Sequence, residues 1–114
     1  MSTIQELTKL VMQFHEERDW VKFHGPKELA VTIMVESSEI LELFQWERNN
    51  TPEYLEKNTD KIGDEIADVA NNLLELAHNL KLDMKEIIEK KMEQNAKKYP
   101  IEKSKGNNKK YTEL

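Results

Sequence analysis

Glu36-Ser37-Ser38-Glu39 and Glu65-Ile66-Ala67-Asp68 each carry two carboxylates three residues apart, and each pair is embedded in apolar sequence. On a helix, positions i and i+3 share a face. At roughly 100° per residue, Leu29, Ile40 and Leu43 project within about 60° of Glu36, and Ile62, Val69 and Leu76 do the same around Glu65. Both acidic pairs therefore fall on apolar, core-facing stripes. Four carboxylates there repel one another and lose hydration. A divalent cation held between two neighbouring helices relieves both costs.

Working outward from these pairs, the chain reads as helices. A first helix is predicted over about Thr3–Arg18, opened by a Thr3/Glu6 capping box, with Ile4, Leu7, Val11 and Phe14 on its apolar stripe. Gly25-Pro26 opens a second helix running to about Arg48. Asn49-Asn50-Thr51-Pro52 reads as a break, and residues 53–59 as a short helical turn. A third helix is expected over Asp60–Leu80, with Ile62, Ile66, Val69, Leu73, Leu76 and Leu80 as its apolar set. Asp83 and Glu86 mark the start of a fourth, ending near Lys98 before Pro100. The fold class is all-α, an antiparallel helical bundle. Residues 1–100 form the helical domain, and 101–114 an extended, Lys- and Asn-rich C-terminal tail.

The chain has 114 residues, enough for one domain with a modest core, and helical proteins of this size often complete their burial as homo-oligomers. A formal net charge of −5 argues against a nucleic-acid partner. The absence of cysteine excludes disulfides, zinc-thiolate sites and thiol nucleophiles, and fits a reducing, cytoplasmic setting. Charges near the N-terminus argue against a signal peptide, and Ile33-Met34-Val35 is far too short to span a bilayer, so no membrane role is expected.

Carboxylate oxygens without thiols favour a hard cation, Mg2+ or alternatively Mn2+, with Glu36, Glu39, Glu65 and Asp68 as metal ligands and catalytic acids. Magnesium is usually held by a few carboxylates plus substrate phosphates, which points to a polyphosphate and to an activated water attacking phosphorus. Lys91 and Asn95 lie in the stripe Met84, Ile88, Met92, Tyr99 of the fourth helix, and a lysine there is suited to a phosphate. Asn72 sits one turn beyond Asp68 on the acidic face. Trp20, His24 and Trp46 flank the ends of the second helix, where flat rings can stack on a nucleobase. His15 is expected at the surface of its helix. Glu75-x-x-His78 matches half of a di-iron motif, which needs two such motifs and two further glutamates.

The ordered set resembles a known family. Glu36-x-x-Glu39 followed by Glu65-x-x-Asp68 is similar to the metal motif of the MazG-like all-α nucleoside triphosphate pyrophosphohydrolases. Glu17-Arg18-Asp19-Trp20, Phe23-His24, Glu42-Leu43-Phe44-Gln45-Trp46, Lys91 through Asn95, Lys98-Tyr99-Pro100 and Lys110-Tyr111-Thr112-Glu113-Leu114 resemble the dCTP pyrophosphatase branch. The resemblance implies homodimers or dimer-of-dimers tetramers. It implies Mg2+-dependent hydrolysis of dCTP or a modified dCTP to the monophosphate and pyrophosphate, in nucleotide-pool sanitation. It assigns the four acids to metal, Lys91 and Asn95 to phosphate or sugar, and Trp20 and Trp46 to the base, with His24, Asn72 and Tyr99 as further substrate contacts. Vertebrate-type members carry histidine where this chain has Val11 and tyrosine where it has Asn72. That departure bears on base preference and leaves dUTP as an alternative substrate. A non-enzymatic helical interaction module is the reading of another class.

Overall fold

The computed structural model describes residues 3–46 and 50–114, and these form helices and turns with no strand. Helix α1 spans Ile4–Glu17. Its predicted capping box is present: Thr3 Oγ1 accepts from the Glu6 N–H at 3.1 Å, and the Thr3 N–H donates to Glu6 Oε2 at 3.1 Å. The helix ends in a Schellman motif around Asp19, which is left-handed (φ 55°). The Trp20 N–H reaches back to the His15 carbonyl at 3.0 Å and the Asp19 N–H to that of Glu16 at 3.1 Å. This turn fixes where Trp20 leaves the helix. A 3-10 turn, Val21–Phe23, then leads to α2, Pro26–Leu43.

Helix α2 stops at Leu43, short of the expected Arg48, which lies outside the described residues. The next helix, α3, is longer than expected. It runs unbroken over the 28 residues Pro52–Asn79, absorbing the separate turn expected at 53–59. Thr51-Pro52 is a start signal rather than only a break: Pro52 occupies the first turn and Thr51 Oγ1 accepts from the Tyr54 N–H at 3.2 Å. Nothing between Glu53 and Thr59 then interrupts the helix. The Tyr54 hydroxyl donates to the Leu43 carbonyl at 2.6 Å, joining the end of α2 to the start of α3.

Contacts along the pair show that α2 and α3 run antiparallel. Leu43 meets Tyr54 at one end, Glu36 meets Glu65 midway, and His24, just before α2, meets Glu75 and Asn79 at the other. Helix α1 packs on α3 as well. Leu29, Met12 and Ala77 form the buried apolar centre. Ile62, Val69 and Leu76 are half-buried around Glu65, as expected. Ile66, Leu73 and Leu80, expected on the same stripe, are exposed. They lie on the same stripe, toward the edge that the packing of α1 and α2 leaves uncovered within the single chain.

Residues 1–81 form one compact unit and 82–114 another. In the second, α4 spans Met84–Lys98, capped as predicted by Asp83, whose Oδ1 accepts from the Glu86 N–H at 3.0 Å. The segment after it is not wholly extended. Ile101–Ser104 forms the helical turn α5, closed by Ser104 N–H to Pro100 carbonyl at 3.0 Å, and Tyr111–Glu113 forms a 3-10 turn. Local turn bonding suffices there despite the polar composition.

Candidate metal and nucleotide site

Helices α2 and α3 bring the two acidic pairs together. Oxygens of Glu36, Glu65 and Asp68 all lie within 4.8 Å of one another. Glu39, half-buried on α2, is close enough for its charge to act on both Glu36 and Glu65. Three of the four acids, from two facing helices, thus share one spot, and Glu39 lies one turn from Glu36 on α2.

Their electrostatics record the crowding. Burial, the neighbouring Glu39 carboxyl and the charges of Asp68 and Glu65 push the Glu36 carboxyl above the usual carboxylate range. Glu65 is pushed in the same direction, chiefly by the Glu39 carboxyl, then by desolvation and by the charges of Asp68 and Asp64. Glu65 Oε2 is buried without a hydrogen-bond partner. A buried carboxylate oxygen left without a donor is costly, and a cation satisfies it. The all-oxygen donor set fits a hard divalent ion.

The other predicted residues are distributed as follows. Asn72 lies one turn beyond Asp68 and donates its amide to the Asp68 carbonyl at 2.8 Å. Trp20 is exposed at the end of α1, with its ring edge to Phe14 at 5.8 Å between centroids. Trp46 is exposed just beyond α2. Lys91, Asn95 and Tyr99 belong to the second unit. Lys91 is exposed, Asn95 is half-buried, and Tyr99 packs edge-on against Tyr111 at 6.2 Å.

One histidine departs from the reading of the sequence, and a second shares its partner. His15 is not a surface residue: its side chain is 16 % exposed, and its Nδ1 lies 3.3 Å from Glu75 Oε1. His24 places Nδ1 2.9 Å from Glu75 Oε2, and its carbonyl accepts from the Asn79 amide at 2.7 Å. Glu75, fully buried, therefore pairs with His15 and His24 and not in a di-iron half-motif with His78, which is exposed. The sequence carried no local sign of this, because at helical spacing Glu75 falls with Asp68 and Asn79 and not on the apolar stripe.

Residues 31–114, which include all four acids, match the MazG-like family. The chain belongs to the MazG-like family. With the family comes its enzyme class, nucleoside triphosphate pyrophosphohydrolase. Over 98 % of its length the chain is 33 % identical to the mouse (Mus musculus) protein dCTP pyrophosphatase 1, covering 68 % of that protein. The human (Homo sapiens) dCTP pyrophosphatase 1 is 31 % identical over the same shares. Among solved structures, a pyrophosphatase from Archaeoglobus fulgidus superposes with a TM-score of 0.79 at 38 % identity, covering 88 % of this chain and 94 % of that one.

Proposed function

We propose that this pyrophosphohydrolase acts with Mg2+ on dCTP or a modified dCTP, releasing the monophosphate and pyrophosphate. The observation that carries the proposal is the convergence of Glu36, Glu65 and Asp68, with Glu39 beside them and Glu65 Oε2 buried and unsatisfied. The substrate rests on the named activity of the mouse and human relatives.

In this reading Glu36, Glu39, Glu65 and Asp68 hold the magnesium. The bound ion supplies Lewis-acid polarisation of the triphosphate and offsets charge on the leaving group. The chain's own residues do the rest. Glu36 or Glu39 orients a water and takes its proton. The α–β anhydride breaks, the water oxygen stays on phosphorus, and pyrophosphate leaves. Lys91 and Asn95 meet phosphate or sugar, and Tyr99 supports them. Trp20, Trp46, His24 and Asn72 border the base.

Residues 1–100 are the working domain in this proposal and 101–114 its tail, acting in the cytoplasm on nucleotides of the free pool. The enzyme works as a homodimer or dimer of dimers. Exposed Val31, Met34, Val35 and Leu41 on α2 support that, because α2 is apolar both toward α3 and away from it. Among the described residues no helix is long and apolar enough to cross a membrane.

The test is product analysis with a panel of triphosphates and Mg2+. dCMP and pyrophosphate from dCTP are the expected products. Nucleoside diphosphate and phosphate would overturn the bond assignment. Val11 and Asn72 leave room for a second substrate, dUTP, and faster turnover of dUTP than dCTP would select it.

A further inference from the structure

We propose that His15, His24 and Glu75 form a second metal site, separate from the acidic one and suited to a borderline divalent ion of the Zn2+ type. Seven residues of α3 part Asp68 from Glu75, about 10.5 Å along the helix. The donor sets also differ. The acidic cluster offers only carboxylate oxygens, whereas this one offers two imidazoles and one carboxylate, which favour Zn2+ over Mg2+.

The geometry carries the assignment. One ligand atom from each of the three residues lies within 4.8 Å of the other two. Glu75 is 0 % exposed. His15 Nδ1 and Glu75 Oε1 are both buried and neither has a hydrogen-bond partner, although they lie only 3.3 Å apart. They face each other without the alignment of a hydrogen bond. Two ligands on a tetrahedral zinc, each at roughly 2.0–2.1 Å, are about 3.3 Å apart. The unsatisfied pair is therefore spaced as two corners of one coordination shell.

The frame is fixed before any ion binds. The Schellman turn uses the His15 carbonyl, and the Asn79 amide holds the His24 carbonyl. The rings stand edge to face, with centroids 4.9 Å apart. Side-chain exposures of 16 % for His15 and 26 % for His24 leave an approach for the ion and for a water completing its shell. Without a cation, the site reduces to a buried carboxylate between two imidazoles.

The two accounts separate by experiment. The full chain, stripped with a chelator, is titrated with Zn2+ in excess Mg2+, which occupies the acidic site. One tightly bound Zn2+ per chain is expected, weakened at least about 10–100-fold in His15→Ala and in Glu75→Gln and unchanged in Glu65→Gln. Ring-nitrogen NMR of the wild type gives a readout that needs no variant. Zn2+ should move the resonances of His15 and His24 and leave those of exposed His78 in place. Zn2+ uptake lost in Glu65→Gln but kept in Glu75→Gln overturns the proposal. So do unmoved His15 and His24 resonances, which would leave a metal-free imidazolium–carboxylate pair.

Discussion

Glu36 on α2 and Glu65 on α3 hold carboxylate oxygens within 4.8 Å of each other across an antiparallel helix pair, and both carboxyls are pushed upward. Like charges are thus built into the join between the two central helices. Without a cation, folding works against that join; with one, the same contact becomes a clasp.

The metal should therefore be felt as stability. A ligand present at 100 times its Kd adds about 2.7 kcal/mol to a folded protein. Saturating Mg2+ is expected to raise the melting temperature of the wild type by several degrees, read by calorimetry. Glu65→Gln should melt higher than the wild type without metal, gain little from Mg2+, and lose about 100-fold or more in turnover. A Glu65→Gln chain that still responds fully to Mg2+ would remove Glu65 from the site.

The raised carboxyls also give a pH dependence. Their folded-state pKa exceeds the unfolded value of about 4.3, so the folded chain binds more protons than the unfolded one. That contribution is fully present below the unfolded value and is lost as pH rises through the folded values. Metal-free wild type should thus lose stability relative to Glu36→Gln as pH climbs above the ordinary carboxylate range. Denaturation of both proteins along a pH series measures the gap, which should widen upward and then level off. A gap independent of pH would mean that the crowding does not exist in solution.

What could be read from the sequence was what is local. Thr3 with Glu6 and Asp83 with Glu86 are caps whose partners lie three residues away, and each formed as expected. The acids also surfaced, because apolar neighbours at helical spacing mark a charge as out of place; Glu36, Glu39 and Glu65 are half-buried and Asp68 is exposed. Thr51-Pro52 was misjudged because residues that read as a break in the chain are also the ones that start a helix. His15 was misjudged for a different reason. Its partner Glu75 is distant in sequence, and only the packing of α1 on α3 brings the two together. Nor does periodicity tell a face covered by the chain's own core from one left exposed, as at Ile66 and Leu73.

Trp20 should act on binding more than on chemistry. The Schellman turn holds its backbone, so replacing the side chain leaves the turn bonds in place. Stacking a base on an aromatic ring contributes about 1–3 kcal/mol, or roughly 5–150-fold in affinity. Trp20→Ala is expected to raise KM for dCTP within that range, to lower kcat much less, and to be partly restored by Trp20→Phe. Steady-state kinetics separates these. An unchanged KM would place the base elsewhere.

The exposed face of α2 gives the last prediction. Leu29, Glu36, Ile40 and Leu43 follow the stripe toward α3, while Val31, Met34, Val35 and Leu41 project the other way at i, i+3, i+4 and i+10. Met34 is 72 % exposed in the single chain. Fully burying such a side chain yields about 1.5–3 kcal/mol, so four of them on one face favour association with another copy. Light scattering of the wild type should give a multiple of the 13.5 kDa chain mass. Met34→Glu places a charge at the centre of the face, away from the acidic site. It should lower that mass toward the monomer while circular dichroism still reports helix. A wild type that is monomeric at high concentration, or a Met34→Glu chain of unchanged mass, would show that association does not use this face of α2.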